Sequence, residues 1–261
     1  KGYGYETRAF HPGEQTSWQR NIAYPRLGFD SFKCGEDMDV PQTEEHGYVS
    51  DDSDFEQIIW EFEHKDESTP LFLFNVTIQN HGSYTVEDYP AEVQLADEPG
   101  AYPKAEQYLT LANKTDEAFK KLIDYFSAQT EPTILVMFGD HQPSVEQEFL
   151  DKAYGVTQDE MTMAQYMDKF KVPFIIWANY PLTSDSTKVT SLNFLAQYVL
   201  RNAGIETSAY GKYLWNLQKT IPAMTFAGYF DSEGNAYSHL DTTKFTPLIE
   251  DYERVQYNNL F

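Results

Sequence analysis

An α/β fold with a mainly parallel sheet and flanking helices is what the sequence predicts, on two observations. Short apolar runs alternate with longer helical segments, the order that successive strand–helix–strand crossovers produce. Two of the runs, LFLFNVTI and TILVMF, are almost continuously apolar, as strands covered by helices on both faces are. With 261 residues, 41% of them hydrophobic, one domain over 1–261 with a sizeable core is expected, and no shift in composition marks an internal boundary.

In chain order, strands are predicted at 5–10, 29–33, 71–78, 133–138 and 174–178. Asp51, Asp52 and Ser53 form a capping cluster ahead of a helix at 54–65, and 102–128 carries enough periodic apolar positions for one long helix or two. Helices follow at 145–152, 162–170 and 192–202, the last closed by Gly204. The tail differs: 224–230, then Asp231-Ser232-Glu233-Gly234-Asn235, then 236–239 reads as a β-hairpin with a glycine-bearing turn. A final helix is expected at 247–257, and the charge-rich stretch 36–54 reads as a solvated loop.

Charge and composition exclude several roles. There are 41 acidic and 19 basic residues, a formal net charge of −22. Nucleic acid demands clustered Lys and Arg, so it is not an expected partner. The same balance argues against docking on an anionic membrane through this chain alone. One cysteine, Cys34, rules out a disulfide scaffold and reads as a small apolar filler. No apolar run approaches the ~20 residues that span a bilayer, and the chain opens at Lys1 without a signal peptide. The expectation is a soluble globular piece of something longer.

In parallel α/β sheets ligands sit beyond the carboxyl ends of strands. Three predicted strands end alike: at His11, at Gln79-Asn80-His81-Gly82, and at Gly139-Asp140-His141. If those strands are parallel neighbours, the imidazoles converge on one crevice; the alternative is three polar residues simply leaving strands. Asp140 and His141 together offer a hard oxygen and a nitrogen to one divalent ion, Mn²⁺, Mg²⁺ or Zn²⁺. Two ligands fall short of the three that a catalytic metal usually takes. A second group lies in HPGEQTSWQRN, where Arg20 can present a planar fork to phosphate and Trp18 a flat face to a glycerol or sugar backbone. The competing reading puts Trp18 in the core at the start of an amphipathic helix. His46, His64 and His239 stand in polar surroundings with nothing to make them ligands. A glycine-rich phosphate loop and a GxSxG nucleophile elbow are both missing from the sequence.

Taken together, AFHPGEQTSWQRNIAYPRLGFDSF, FLFNVTIQNHGSY and ILVMFGDHQPS, in that order, resemble the lipoteichoic acid synthase family of phosphoglycerol transferases, in the alkaline phosphatase/sulfatase superfamily. The match runs from Gly2 to Ser144; the later part fits more loosely. The resemblance implies that Asp140 and His141 are two ligands of a catalytic divalent ion, Mn²⁺ in the first instance. It implies that His11, Trp18, Arg20 and His81 hold the glycerol-phosphate group, with His81 catalytic, near the oxygen where a proton moves. It implies an enzyme on the outer face of a bacterial membrane that takes glycerol phosphate from phosphatidylglycerol, holds it on a threonine and passes it to an acceptor or a growing polymer.

The departures shape the expectation further. In the family, an acidic metal ligand and the threonine both precede the segment matching His11, and only ten residues stand before it here. The membrane-spanning helices have no counterpart either. The chain therefore reads as the carboxyl-terminal portion of a catalytic domain, lacking the first strand or strands and inactive alone. A sheet edge exposed by that loss would favour self-association. Two alternatives stay open: a sulfatase or phosphodiesterase-type hydrolase of the same superfamily, and a non-catalytic module binding glycerol-phosphate polymer. Sulfatases use a C/S-x-P-x-R setting, which Cys34-Gly35-Glu36-Asp37-Met38 does not fit.

Overall fold

The computed structural model describes residues 3–183 and 189–260; Gly2, where the family resemblance begins, lies outside them. The chain falls into two compact units, one formed by 1–129 with 143–150, the other by 130–142 with 151–261.

The first unit is built on strand β1 (Glu6–His11), followed by a 3-10 turn (Ser17–Gln19), helix α1 (Arg20–Leu27) and strand β2 (Ser31–Cys34). A two-stranded hairpin comes next, β3 (Glu44–Glu45) and β4 (Tyr48–Val49), then α2 (Asp51–Glu63), β5 (Leu71–Asn75) and α3 (Pro103–Ser127). The sheet order is β2-β1-β5, all parallel, with His11 level with Cys34 and Phe10 level with Asn75. The three carboxyl ends are therefore aligned at one edge, and the chain leaves β1 toward opposite sides, the switch point where such sheets bind ligands. Tyr24 of α1 packs among Phe29, Phe32 and Phe74 on one face of the sheet. α2 and α3 pack on each other through Phe55–Phe119 and Phe62–Phe126. The first turn of α2 is capped by Ser50, whose hydroxyl accepts from the Ser53 N–H. The stretch 36–54 is thus not a plain solvated loop: it holds a hairpin and the buried start of a helix.

In the second unit β6 (Ile134–Phe138) is followed by α4 (Gln147–Tyr154, its first residues in the other unit), α5 (Met163–Asp168) and β7 (Phe174–Ala178). β6 pairs antiparallel with β7, Ile134 opposite Ala178 and Phe138 opposite Phe174, rather than as a parallel neighbour of β5. An almost continuously apolar run shows no alternation, so it reveals burial but not the direction of the partner. The chain continues through α6 (Leu192–Asn202), α7 (Ala209–Leu217), β8 (Ala223–Met224), β9 (Gly228–Phe230), β10 (Ala236–Ser238) and α8 (Thr246–Leu260). The predicted hairpin is present as β9–β10, extended by β8 to an antiparallel sheet of three strands. Its core is Phe194, Leu214, Leu217, Ile221, Tyr229, Ile249 and Tyr252. No helix among the described residues is long and apolar enough to cross a membrane.

Candidate phosphate-ester site

His11 ends β1, buried, and its Nδ1–H donates to the Val76 carbonyl at 2.7 Å. That bond fixes the tautomer of the neutral ring and leaves Nε2 as an acceptor. Burial lowers its pKa below the ordinary histidine value; the Val76 bond opposes this, and the charges of Arg20 and His81 add to the lowering. The ring is therefore neutral at pH 7. Gly13 leaves room for the ring: a Cβ there would stand 2.7 Å from His11 Nε2 and 3.1 Å from Ile78 Cδ1.

Arg20 opens α1. Its Nη1 donates to the Ser17 carbonyl at 3.3 Å; burial raises the pKa of the Tyr24 hydroxyl, and the Arg20 charge opposes the rise. Trp18 is not a core residue; it is 87% exposed. Trp18 and Gln19 both hold positive φ, 57° and 54°, a left-handed pair rare for bulky side chains and costly in strain. The local backbone is bent so that the indole faces solvent instead of packing beneath α1.

His81 follows β5 in an exposed position, its Nδ1 3.0 Å from the Gly82 carbonyl and 3.3 Å from the Tyr48 hydroxyl. His46, which the sequence offered no reason to single out, donates from Nε2 to the Gln79 carbonyl at 2.6 Å. Tyr48 and His46 belong to the β3–β4 hairpin. Nothing in the linear pattern of that charged stretch announces an aromatic pair beside His81. Cys34 is buried, its thiol on Asp37 Oδ2 at 3.2 Å and its pKa raised by burial first, which suits a filler and not a nucleophile.

Asp140 and His141 lie in the second unit, after Gly139, which packs closely enough on Val172 that a Cβ would stand 3.1 Å from it. The His141 Nδ1–H donates to the Gln142 carbonyl at 2.9 Å, and Nε2 stands 3.5 Å from Asp140 Oδ2. Both side chains are largely solvent-exposed, 78% and 85%. An imidazole nitrogen and a carboxylate oxygen side by side are the right donors for a divalent ion. Among the described residues no group of three or more His, Cys, Asp or Glu gathers around an ion position, so the pair fits a metal in kind and supplies two ligands of it.

Comparison with known proteins agrees with this architecture. The sulfatase family model matches residues 1–205. A Rhizobium meliloti (strain 1021) protein named for cyclic beta-1,2-glucan modification is 29% identical over 271 residues, covering 100% of this chain and 42% of that protein. The lipoteichoic acid synthase-like YvgJ of Bacillus subtilis (strain 168) is 27% identical over 180 residues, 67% of this chain and 28% of its own length. The chain thus spans less than half the length of these curated relatives. Among solved structures, the Streptococcus pyogenes phosphoglycerol transferase GacH in complex with sn-glycerol-1-phosphate superposes with a TM-score of 0.73 at 18% identity, over 97% of this chain and 61% of that one. A Vibrio parahaemolyticus protein in the alkaline phosphatase superfamily shares the fold, with a TM-score of 0.57 at 14% identity over 98% of this chain and 67% of that one. With a family model matching well over half of its residues, the chain belongs to the sulfatase family.

Proposed function

We propose that this chain carries the substrate-holding part of a phosphoglycerol transferase of the lipoteichoic acid synthase type, moving glycerol phosphate from phosphatidylglycerol to an acceptor outside the cell. The observation that carries the reading is buried His11 at the carboxyl end of β1, with Arg20 opening the helix that follows and His81 on the segment that continues from the neighbouring parallel β5. In a chain of net charge −22, an anion needs such a local group, because the whole-molecule field opposes it.

Each residue has a part in that reading. Arg20 holds the phosphate with its guanidinium fork, and Trp18 covers the glycerol backbone. His11 Nε2, locked as an acceptor by Val76, takes a hydrogen bond from a glycerol hydroxyl. His81 stands where a proton is given to or taken from the reacting oxygen. Asp140 and His141 would hold a divalent ion, Mn²⁺ in the first instance, which when bound supplies the kind of charge neutralisation that phosphoryl transfer needs. None of these residues is a nucleophile, so the proposal assigns this chain binding, orientation and proton handling. The relative named for glucan modification supports a saccharide hydroxyl as the acceptor class.

Calorimetry with glycerol phosphate tests the reading. Binding is expected in the parent chain, with Arg20→Ala weakening it at least tenfold, as loss of a charge-assisted fork does. Equal binding in the two would remove Arg20 from the site. A preference for inorganic sulfate or a soluble sulfate ester over glycerol phosphate would favour the hydrolase of the same family.

A further inference from the structure

Segment 79–82, which carries His81, is tied down from several elements. Gln79 Oε1 accepts from the Asp51 N–H at 2.9 Å, and the Gln79 amide donates to Thr115 Oγ1 and the Leu111 carbonyl. The Asn80 amide donates to Thr115 Oγ1 at 2.8 Å, and Thr115 in turn donates to Asp51 Oδ2 at 2.6 Å. Two side chains cover the segment's own carbonyls: His46 Nε2–H donates to Gln79 O and the Tyr84 hydroxyl to Asn80 O, each at 2.6 Å. The His81 ring, by contrast, has two options. A proton on Nδ1 makes it a donor to the Gly82 carbonyl or to the Tyr48 hydroxyl oxygen and leaves Nε2 as a lone pair. A lone pair on Nδ1 makes it an acceptor from Tyr48 and puts the proton on Nε2.

The β3–β4 hairpin is what brings Tyr48 there. Glu45 pairs with Tyr48 across His46-Gly47, whose φ values are 36° and 92°. Such a two-residue turn matches the twist of its strands and favours Asn or Asp at its first position; His46 sits there with a strained backbone. Its ring is anchored on Gln79 O and lies 5.2 Å from the Tyr48 ring, which stands 5.6 Å from His81. The Gly82 carbonyl is in an exposed segment where water can satisfy it. The half-buried Tyr48 hydroxyl has no other hydrogen-bond partner than His81 among the described residues.

We propose that Tyr48 is a positioning residue that holds neutral His81 with its proton on Nε2, with His46 fixing the hairpin for that purpose. His81 then meets a bound phosphate ester as a hydrogen-bond donor through Nε2–H. This rests on the reading of His81 given above; Tyr48 itself touches no reacting atom.

The tautomer can be read without ligand or turnover. Ring nitrogens are labelled with ¹⁵N in the 261-residue chain, and His81 is assigned by the signal lost in His81→Gln. The expected parent ring is Nε2–H. Tyr48→Phe is expected to move it toward Nδ1–H, and so is His46→Asn, which relieves the turn and keeps the hairpin folded. A parent ring that is already Nδ1–H, or one unmoved by both variants, overturns the proposal. Glycerol phosphate affinity separates it from the functional reading, with about a tenfold loss expected in Tyr48→Phe. Unchanged affinity alongside a shifted tautomer overturns the role in phosphate binding. If the parent binds no glycerol phosphate while the tautomer responds, the reading of the site has failed and the phosphate role falls with it.

Discussion

Asp51 and Asp54 stand in the first turn of α2, both buried, each with one carboxylate oxygen that has no hydrogen-bond partner. Burial pushes the Asp51 carboxyl up to about 6 against the pull of its Thr115 bond. Burial likewise holds Asp54 well above the usual carboxylate range, opposed by the Asn75 amide and reinforced by the Asp51 charge. A carboxyl whose folded pKa is raised binds its proton more tightly when folded, so its stabilisation is whole below about pH 4 and is lost as pH rises through the folded value. For Asp51 that loss amounts to about 3 kcal/mol between pH 4 and 6. Thermal melts are expected to show the midpoint falling across this window, and Asp51→Asn to flatten the fall. Asp54→Asn keeps an acceptor for the Asn75 amide and removes a buried carboxylate. It is expected to stabilise the chain at pH 7 by about 1–2 kcal/mol, a gain that shrinks on acidification; a destabilised variant at pH 7 would refute the account. Gly13→Ala should act oppositely. Its methyl group meets the buried His11 ring, so a cost of about 1–3 kcal/mol is expected, together with weaker glycerol phosphate binding as the imidazole is displaced.

At the scale of elements, legibility followed how each segment announces itself. β7 and α6 were readable to the residue because an apolar run bounded by polar residues, or a periodic stretch closed by Gly204, has few competing interpretations. α7 was not foreseen. Its sequence AYGKYLWNL carries a glycine and three aromatics, all mediocre helix formers, and what secures it is the Ser208 cap on the Gly211 N–H and packing on Leu214 and Leu217. The glycine is a packing requirement: a Cβ at Gly211 would overlap Thr207 Oγ1 and Gln197 Oε1, which bond each other beside the helix. Helix propensity alone predicts that Gly211→Ala stabilises by about 1 kcal/mol. The contact predicts the reverse, a loss of about 1–3 kcal/mol by overpacking. Urea denaturation decides the sign, and a gain would mean that the Thr207–Gln197 pair yields freely.

For the molecule as a whole, the sequence exposed the residues that end strands and concealed those that act on them across space. His11 and His81 were visible because an apolar run stops at each, and Asp140 with His141 because the two are adjacent in sequence. Tyr48 and His46 were hidden because their role arises from a hairpin folded onto a loop 33 residues further on. Net charge was legible from the start and has a consequence at this scale. In the proposed site Arg20 attracts the anion, while the chain's excess of 41 acids over 19 bases repels it. Salt acts unequally on the two. The screening length falls from about 30 Å at 0.01 M to about 8 Å at 0.15 M, which removes most of the distant repulsion and little of the close guanidinium–phosphate contact. Glycerol phosphate affinity is therefore expected to rise by about two- to fivefold over that range, whereas an isolated arginine–phosphate pair would weaken. Arg20→Ala should remain weak at both salt concentrations, and uncharged glycerol should show no salt dependence. Calorimetry at 0.01 and 0.15 M checks this, and affinity that drops with added salt would mean that the surroundings of Arg20 are positive enough to outweigh the rest of the chain.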